Sequence, residues 1–271
     1  CHKLEKEGKA SYSTEEARDQ KKCLTCHGRE SFMMMKIDKE QNTTDVHVAK
    51  EMTCMDCHTS REIHGDGKVY NSMKDPGAMD VTCEKCHDSI KQSRSHTVHN
   101  NKVSCTACHV RHVVSCNSCH FETILKENKR VSLPLHGWKF LMNSKGQVSS
   151  ANMQTFVAPE NKTFMMFAPQ FSHSVMKEGS KCEDCHGTKI NEQIQKGSLD
   201  LSWLEKGKEQ NLKGVIPVVE GVRYNTVYHN YHEGKWTPIA NPVEPKTQYV
   251  GHGTPVTKEQ LKKLATPQKS G

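Results

Sequence analysis

Val103-Ser-Cys105-Thr-Ala-Cys108-His109-Val-Arg-His112-Val-Val-Ser-Cys116-Asn-Ser-Cys119-His120 holds two copies of the pentapeptide Cys-x-x-Cys-His within eighteen residues. The same pentapeptide stands at Cys23-Leu-Thr-Cys26-His27, Cys54-Met-Asp-Cys57-His58, Cys83-Glu-Lys-Cys86-His87 and Cys182-Glu-Asp-Cys185-His186. These six copies use twelve of the 13 cysteines and six of the 17 histidines.

The spacing has a chemical reason. Two thiols three residues apart form thioethers with the two vinyl groups of one haem, and the next residue, His, falls beneath the iron as its proximal ligand. Zinc is the competing reading, because Cys-x-x-Cys pairs build zinc ribbons. Zinc does not require a His after every pair. At 17 His in 271 residues, six in a row by chance is on the order of one in ten million. A disulfide framework fails on the same count. The cofactor expected is therefore haem c (heme c), six copies from the secure motifs.

Composition agrees. Only 34% of the residues are hydrophobic and 6% aromatic, and no long apolar periodic stretch supplies the core that a chain of this length usually buries. Covalently fixed haems would fill that role, as metals and disulfides do in small scaffolds. The formal charge of +7 is matched by the cofactor: two propionates and one ferric centre contribute about −1 per haem, leaving roughly +1 for six. No nucleic-acid role follows from it. No run of about 18 apolar residues is present, and no charged-then-apolar leader opens the chain.

On these six pentapeptides and the histidines around them, residues 23–186 resemble the multihaem c-type cytochromes of bacteria and archaea. The resemblance implies electron transfer through a chain of haems, and attachment of those haems outside the cytoplasmic membrane. The chain then reads as a mature, extracytoplasmic form, periplasmic or at the cell surface. Its partners would be other redox proteins or cytochromes, or further copies of itself in an oligomer or filament.

A low-spin carrier needs a second ligand on each iron. Eleven histidines remain after the six proximal ones. Seven lie among or just outside the motifs and are the candidate distal ligands: His47, His64, His96, His99, His112, His136 and His173. His229, His232 and His252 carry no such preference. Twelve methionines, with Met33-Met34-Met35 clustered, read as adaptable packing around haem edges. Cys1-His2 has three readings: the end of a seventh motif, a lipidated N-terminal Cys that anchors the chain, or an ordinary thiol.

An enzymatic alternative, a multihaem reductase or oxidoreductase of small nitrogen or sulfur compounds, requires one iron with an open position. No Cys-x-x-Cys-Lys occurs to mark one. The segment Tyr224-Asn-Thr-Val-Tyr228-His229-Asn-Tyr231-His232 could furnish such a site through a tyrosine; its structural reading is aromatic packing.

The expected organisation is an N-terminal arm (1–22), a pentahaem segment (23–125), a connecting segment with the sixth haem (126–186) and a haem-free C-terminal segment (187–271). The first cysteines of the first five motifs are 31, 29, 22 and 11 residues apart, too irregular for a repeat array. Ser13-Thr-Glu-Glu16, Ser202-Trp-Leu-Glu205 and Thr257-Lys-Glu-Gln260 have capping-box spacing and predict helices. Val215-Ile-Pro-Val-Val predicts a short edge strand. The fold class expected is mainly α, with extensive irregular loops wrapped around a covalent haem chain and little β.

Overall fold

The computed structural model describes residues 2–90 and 93–270. The chain divides into two units, Cys1–Ile90 with His173–Met176, and Lys91–Ser172 with Lys177–Gly271.

The first unit is built of short turns. Strands β1 (Lys3–Lys6) and β2 (Lys9–Tyr12) form an antiparallel ribbon. Ser13 then caps helix Thr14–Arg18, its hydroxyl accepting from the amides of Glu15 and Glu16, as the Ser-x-x-Glu spacing predicts. Asp19 caps the next turn, Gln20–Leu24, in the same way. Among the described residues of this unit, Met33, Ile37 and Ala78 are the buried hydrophobic side chains. So thin an apolar core fits the expectation that side chains alone do not fill it.

The second unit overturns the predicted fold class. The chain is 30% helical and 31% strand, with a large curled mixed sheet. Strands β3 (Val113–His120), β4 (Leu133–Ser144), β5 (Gln147–Val157) and β6 (Thr163–Pro169) make its centre. Smaller strands follow: β7 (Ser198–Asp200), β8 (Ser202–Glu205), β9 (Lys208–Asn211), β10 (Gly214–Pro217), β11 (Arg223–Asn225), β12 (His229–His232), β13 (Lys235–Pro238), β14 (Lys246–Tyr249) and β15 (Gly253–Thr254). The sheet order is β10-β4-β3-β5-β6-β14, with β15 also on β4.

Strands β4 and β5 are a hairpin closed at Lys145-Gly146, both at positive φ, which is the backbone of a two-residue primed turn. They pair from Phe140–Ser144 and then splay, and β3 enters the gap, antiparallel to β4 and parallel to β5. The inner face buries Phe140, Met142, Met153, Met165 and Phe167 completely. Phe140 and Tyr224 pack on Phe167 with ring centroids 5.4 and 5.3 Å away.

Three further expectations divide. Ser202–Glu205 is a strand, not a helix cap: Lys206-Gly207, both at positive φ, turn it into a hairpin with Lys208–Asn211. Gly214–Pro217 is an edge strand as predicted, parallel to β4. Thr257 and Gln260 form a reciprocal capping box on helix Lys258–Ala265. No described helix is long and apolar enough to cross a membrane.

Candidate metal centres

Five of the six pentapeptides fold alike. Each is one helical or 3-10 turn: Gln20–Leu24 running into His27, Cys54–Cys57, Cys83–Lys85, Cys105–His109 and Cys182–Cys185. His27, His58, His87 and His186 each donate the backbone N–H to the carbonyl of the first Cys of the motif, at 3.0, 2.9, 3.0 and 2.8 Å. Such a turn puts residues i, i+3 and i+4 on one side. Acidic side chains fix two of these turns at the start: the amide of Thr53 donates to Asp56 Oδ2 at 2.6 Å and that of Lys181 to Asp184 Oδ2 at 2.7 Å. The sixth pentapeptide, Cys116–His120, is instead part of β3.

Six histidine pairs stand opposite one another among the described residues. The ring centroids are 5.8 Å apart for His2–His64, 6.1 Å for His47–His87, 6.2 Å for His58–His173, 6.4 Å for His96–His109, 6.3 Å for His99–His186 and 6.2 Å for His112–His136. Two imidazoles ligating one metal atom from opposite sides, with bonds of about 2 Å and nitrogens about 1.1 Å from each ring centre, have centroids about 6.2 Å apart. The spacing therefore fits an iron between the rings, and the residues present fit a haem. All seven histidines expected as distal ligands take part. Four pairs join one of them to a motif histidine; His64 faces His2, and His112 faces His136.

The other ring nitrogen is held in most of these pairs. His58 Nδ1 lies 2.7 Å from Glu62 Oε2, and His47 Nδ1 3.1 Å from Asp45 Oδ1. His2, His99 and His186 place Nδ1 at 3.1, 2.9 and 2.9 Å from the carbonyls of Ser13, Ser95 and Lys263. An acceptor at Nδ1 fixes the tautomer with Nε2 as the ligating atom and raises its basicity. Glu62 is nearly inaccessible and also accepts from the amides of Asp80 and Val81. These contacts hold its carboxyl below the usual range against the opposing effect of burial. Sequence reading missed both carboxylates, although Asp45-x-His47 and His58-x-x-x-Glu62 were present as signals.

His136 is held by its backbone. Its carbonyl accepts from Asn211 Nδ2 at 3.0 Å and from Lys213 Nζ. Gly137, at φ +91°, permits that approach: a Cβ there would lie 2.5 Å from Lys213 Cδ. Burial, aided by His136, Arg111 and Lys213, lowers His112 to about 4, so its ring is neutral and able to ligate.

Cysteines of different motifs adjoin. In the first unit Cys54 shares a side-chain hydrogen bond with Cys23, and burial, with Cys86 next, pushes the Cys57 thiol up. In the second, burial pushes the Cys108 and Cys185 thiols up, with smaller contributions from Cys182 to the first and from Cys108 to the second. No group of three or more His, Cys, Asp or Glu side chains converges as a metal-ion cluster among the described residues, an arrangement that zinc ribbons would need.

Some expected residues stand elsewhere. Among the described residues no histidine ring faces His27 at the pair spacing. His120 points its Nε2 at Asn230 Oδ1, 2.8 Å away, and its ring lies 6.2 Å from that of Tyr231. Tyr224 is a packing residue: its buried hydroxyl donates to the carbonyl of Pro217 at 2.7 Å and accepts from Val219 N–H at 2.8 Å. His229 lies 3.6 Å from Glu209, and His232 is exposed beside Glu233. Cys1, with its lipid-anchor and truncated-motif readings, lies outside the described residues.

No protein-family model matches the chain, and no solved structure does. Over 77 residues, 27% of this chain, it is 34% identical to cytochrome c-552 of Haemophilus ducreyi strain 35000HP, and that stretch is 15% of the relative. The chain thus spans about a seventh of the length of the curated relative it matches, and over that stretch the likeness is to a c-type cytochrome.

Proposed function

We propose that this chain transfers electrons along a row of six covalently bound haems, seven where Cys1-His2 completes a motif, most of them ligated by two histidines. The observation that carries the reading is the repeated histidine pair. His58 with His173, His87 with His47, His109 with His96 and His186 with His99 each set a motif histidine and a remote one at the spacing of two axial ligands. Cys54 and Cys57, Cys83 and Cys86, Cys105 and Cys108, and Cys182 and Cys185 supply the thioethers of these four. His2 and His64 form the corresponding pair at the start of the chain, and Cys23, Cys26 and His27 form the remaining regular motif.

When bound, such groups supply one-electron redox chemistry, and the residues set where it runs. The hydrogen bond between Cys23 and Cys54 brings two attachment sites together in the first unit, and Cys86 acts electrostatically on Cys57 of the second of them. In the second unit Cys182 acts electrostatically on Cys108 in the same way. Haems held at these cysteines would supply one-electron redox centres close in sequence of attachment, which is what electron hopping needs. Two histidines on an iron leave no position for substrate. On this reading the partners are other redox proteins, and the site of action is outside the cytoplasmic membrane, where haem c is attached.

One observation favours a second reading, a multihaem reductase or oxidoreductase: His27 faces no histidine at the pair spacing among the described residues. An iron there with an open position would bind a small nitrogen or sulfur compound. Electron paramagnetic resonance of the oxidised protein separates the two. Low-spin signals only, unchanged by nitrite, hydroxylamine or sulfite, support the carrier. A high-spin fraction near one haem in six that shifts with one of these compounds supports the enzyme.

A further inference from the structure

Lys139 stands on β4 between Trp138 and Phe140, whose rings pack on each other with centroids 5.2 Å apart. Alternation along the strand puts those two on the core face and Lys139 on the other. That other face is covered as well, and Lys139 is only 1% exposed. A lysine is almost never so buried unless an anion pairs with it. Among the described residues the Lys139 ammonium forms no ion pair. Its two hydrogen bonds go to neutral oxygens, the Val110 carbonyl at 2.7 Å and Ser180 Oγ at 3.0 Å. Burial lowers its proton affinity below the usual lysine range, the expected sign for a cation whose counter-charge is missing.

Both oxygens belong to attachment sites. Val110 ends the helical turn Cys105–His109, and Ser180 stands two residues before Cys182. Ser180 also reaches across: its amide and its hydroxyl each donate to the Cys108 carbonyl at 3.0 Å. Gly179 permits the approach, since a Cβ there would already lie 3.5 Å from Cys108 Cβ and 3.6 Å from His109 Nε2. The chain entering the motif Cys182–His186 therefore lies against Cys108 and His109, and Lys139 donates to both sides of that contact. Each haem brings two propionates and one ferric centre, about −1 in all. Haems at these two motifs would supply the negative charge that the polypeptide around Lys139 lacks.

We propose that Lys139 is a positive charge shared by the two haems attached at Cys105–Cys108 and Cys182–Cys185, and that it raises the potential of both. The proposal rests on the reading of the chain as a multihaem cytochrome. Reduction adds one negative charge to an iron centre, and a cation held nearby, away from water, favours that state. Lys139 ligates neither iron. It acts through its field, and the hydrogen bonds to Val110 and Ser180 keep that field on both sites at once.

The test is made on the full chain matured with haem, in two backgrounds that mark these haems singly. His96→Ala opens the iron at Cys105–His109 and His99→Ala the iron at Cys182–His186. Each gives one high-spin haem, whose midpoint is read by redox titration followed by electron paramagnetic resonance. Lys139→Met keeps the length of the side chain and removes its charge. It lowers the midpoint in both backgrounds, by on the order of a tenfold change in preference for the ferric state, about 59 mV. Lys139→Gln, uncharged but with two N–H donors, lowers both midpoints too and answers the question if the methionine variant does not fold. A midpoint that stays in place in either background overturns the proposal; a purely structural role for Lys139 would lower thermal stability and move neither. A wild-type chain with no covalent haem, or a marking variant that opens no iron, would instead refute the haem and ligand reading on which the proposal rests.

Discussion

His58 and His173 face one another with ring centroids 6.2 Å apart, although strands β3 to β6 lie between them in sequence. The short segment around His173 is fixed in the first unit by backbone: Val46 N–H donates to the carbonyl of Val175 at 3.0 Å, and Val175 N–H donates to Asp45 Oδ2 at 2.8 Å. Asp45 also holds His47, so one buried carboxylate positions histidines of two pairs. A residue drawn from so far along the chain marks a ligand more clearly than any local spacing does.

Glu62→Gln is expected to raise the potential of the haem at Cys54–His58. The carboxylate on His58 Nδ1 makes the imidazole a stronger donor, which favours the ferric state. A tenfold change in that preference is about 59 mV for one electron, and a shift of on the order of that size in one haem is the prediction. Redox titration followed optically checks it; an unchanged set of potentials contradicts it.

His99→Ala should leave Cys182 and Cys185 with their haem and convert it alone to high-spin. His186 retains its Nδ1 contact with the Lys263 carbonyl, 2.9 Å away, so the proximal side stays in place. Covalent mass and magnetic resonance of the oxidised variant together decide it.

Glu209 carries a pH dependence. Its carboxylate is buried and accepts from Ser202 Oγ at 2.7 Å and Asn117 Nδ2 at 3.0 Å on one oxygen. Burial raises it to about 7 against those two hydrogen bonds, and burial lowers the neighbouring His229, so the histidine is neutral near pH 7 and brings no charge to pair with it. A carboxyl raised in the folded state contributes stability that is fully present below the unfolded value of 4.5 and is lost as pH rises through about 7. The loss is at most about 3–4 kcal/mol. Glu209→Gln keeps an acceptor for both donors and should flatten the fall in thermal midpoint between pH 5 and 8 for the second unit. A wild-type midpoint that does not fall over that range contradicts the assignment.

Phe167→Ala should destabilise the second unit by about 3–5 kcal/mol. Phe167 is completely buried and meets Phe140 and Tyr224. Denaturant unfolding followed by far-ultraviolet circular dichroism measures it. A cost under about 1 kcal/mol would mean that the haems, not this apolar cluster, hold the sheet.

The five Cys-x-x-Cys-His turns were legible because each is short and self-contained: five residues define the turn. Helices Thr14–Arg18 and Lys258–Ala265 were legible through their caps for the same reason. The sheet was hidden by its buried polar residues. Ser150, Asn152 and Thr155 of β5 and Ser115 and Asn117 of β3 are all buried, which erases the alternation of apolar and polar residues that announces a strand. They are tolerated because they satisfy one another: Ser115 Oγ donates to Asn152 Oδ1 at 2.6 Å, Thr155 bonds to Asn117, and Trp138 Nε1 donates to Ser115 Oγ at 2.8 Å. Methionines read as haem-edge packing prove in Met142, Met153 and Met165 to be sheet core. The histidines that pair were legible as a set, but their pairing was not, since it depends on contacts such as Val46 to Val175 that no local pattern encodes.

The measurement that tests the account most directly is intact mass of the matured chain, with electron paramagnetic resonance on the same sample. The account predicts six covalent haems, seven with Cys1-His2, and low-spin bis-imidazole signals from most of them. A chain without covalent haem, or one whose irons are mainly high-spin despite the histidine pairs at 5.8–6.4 Å, would contradict it.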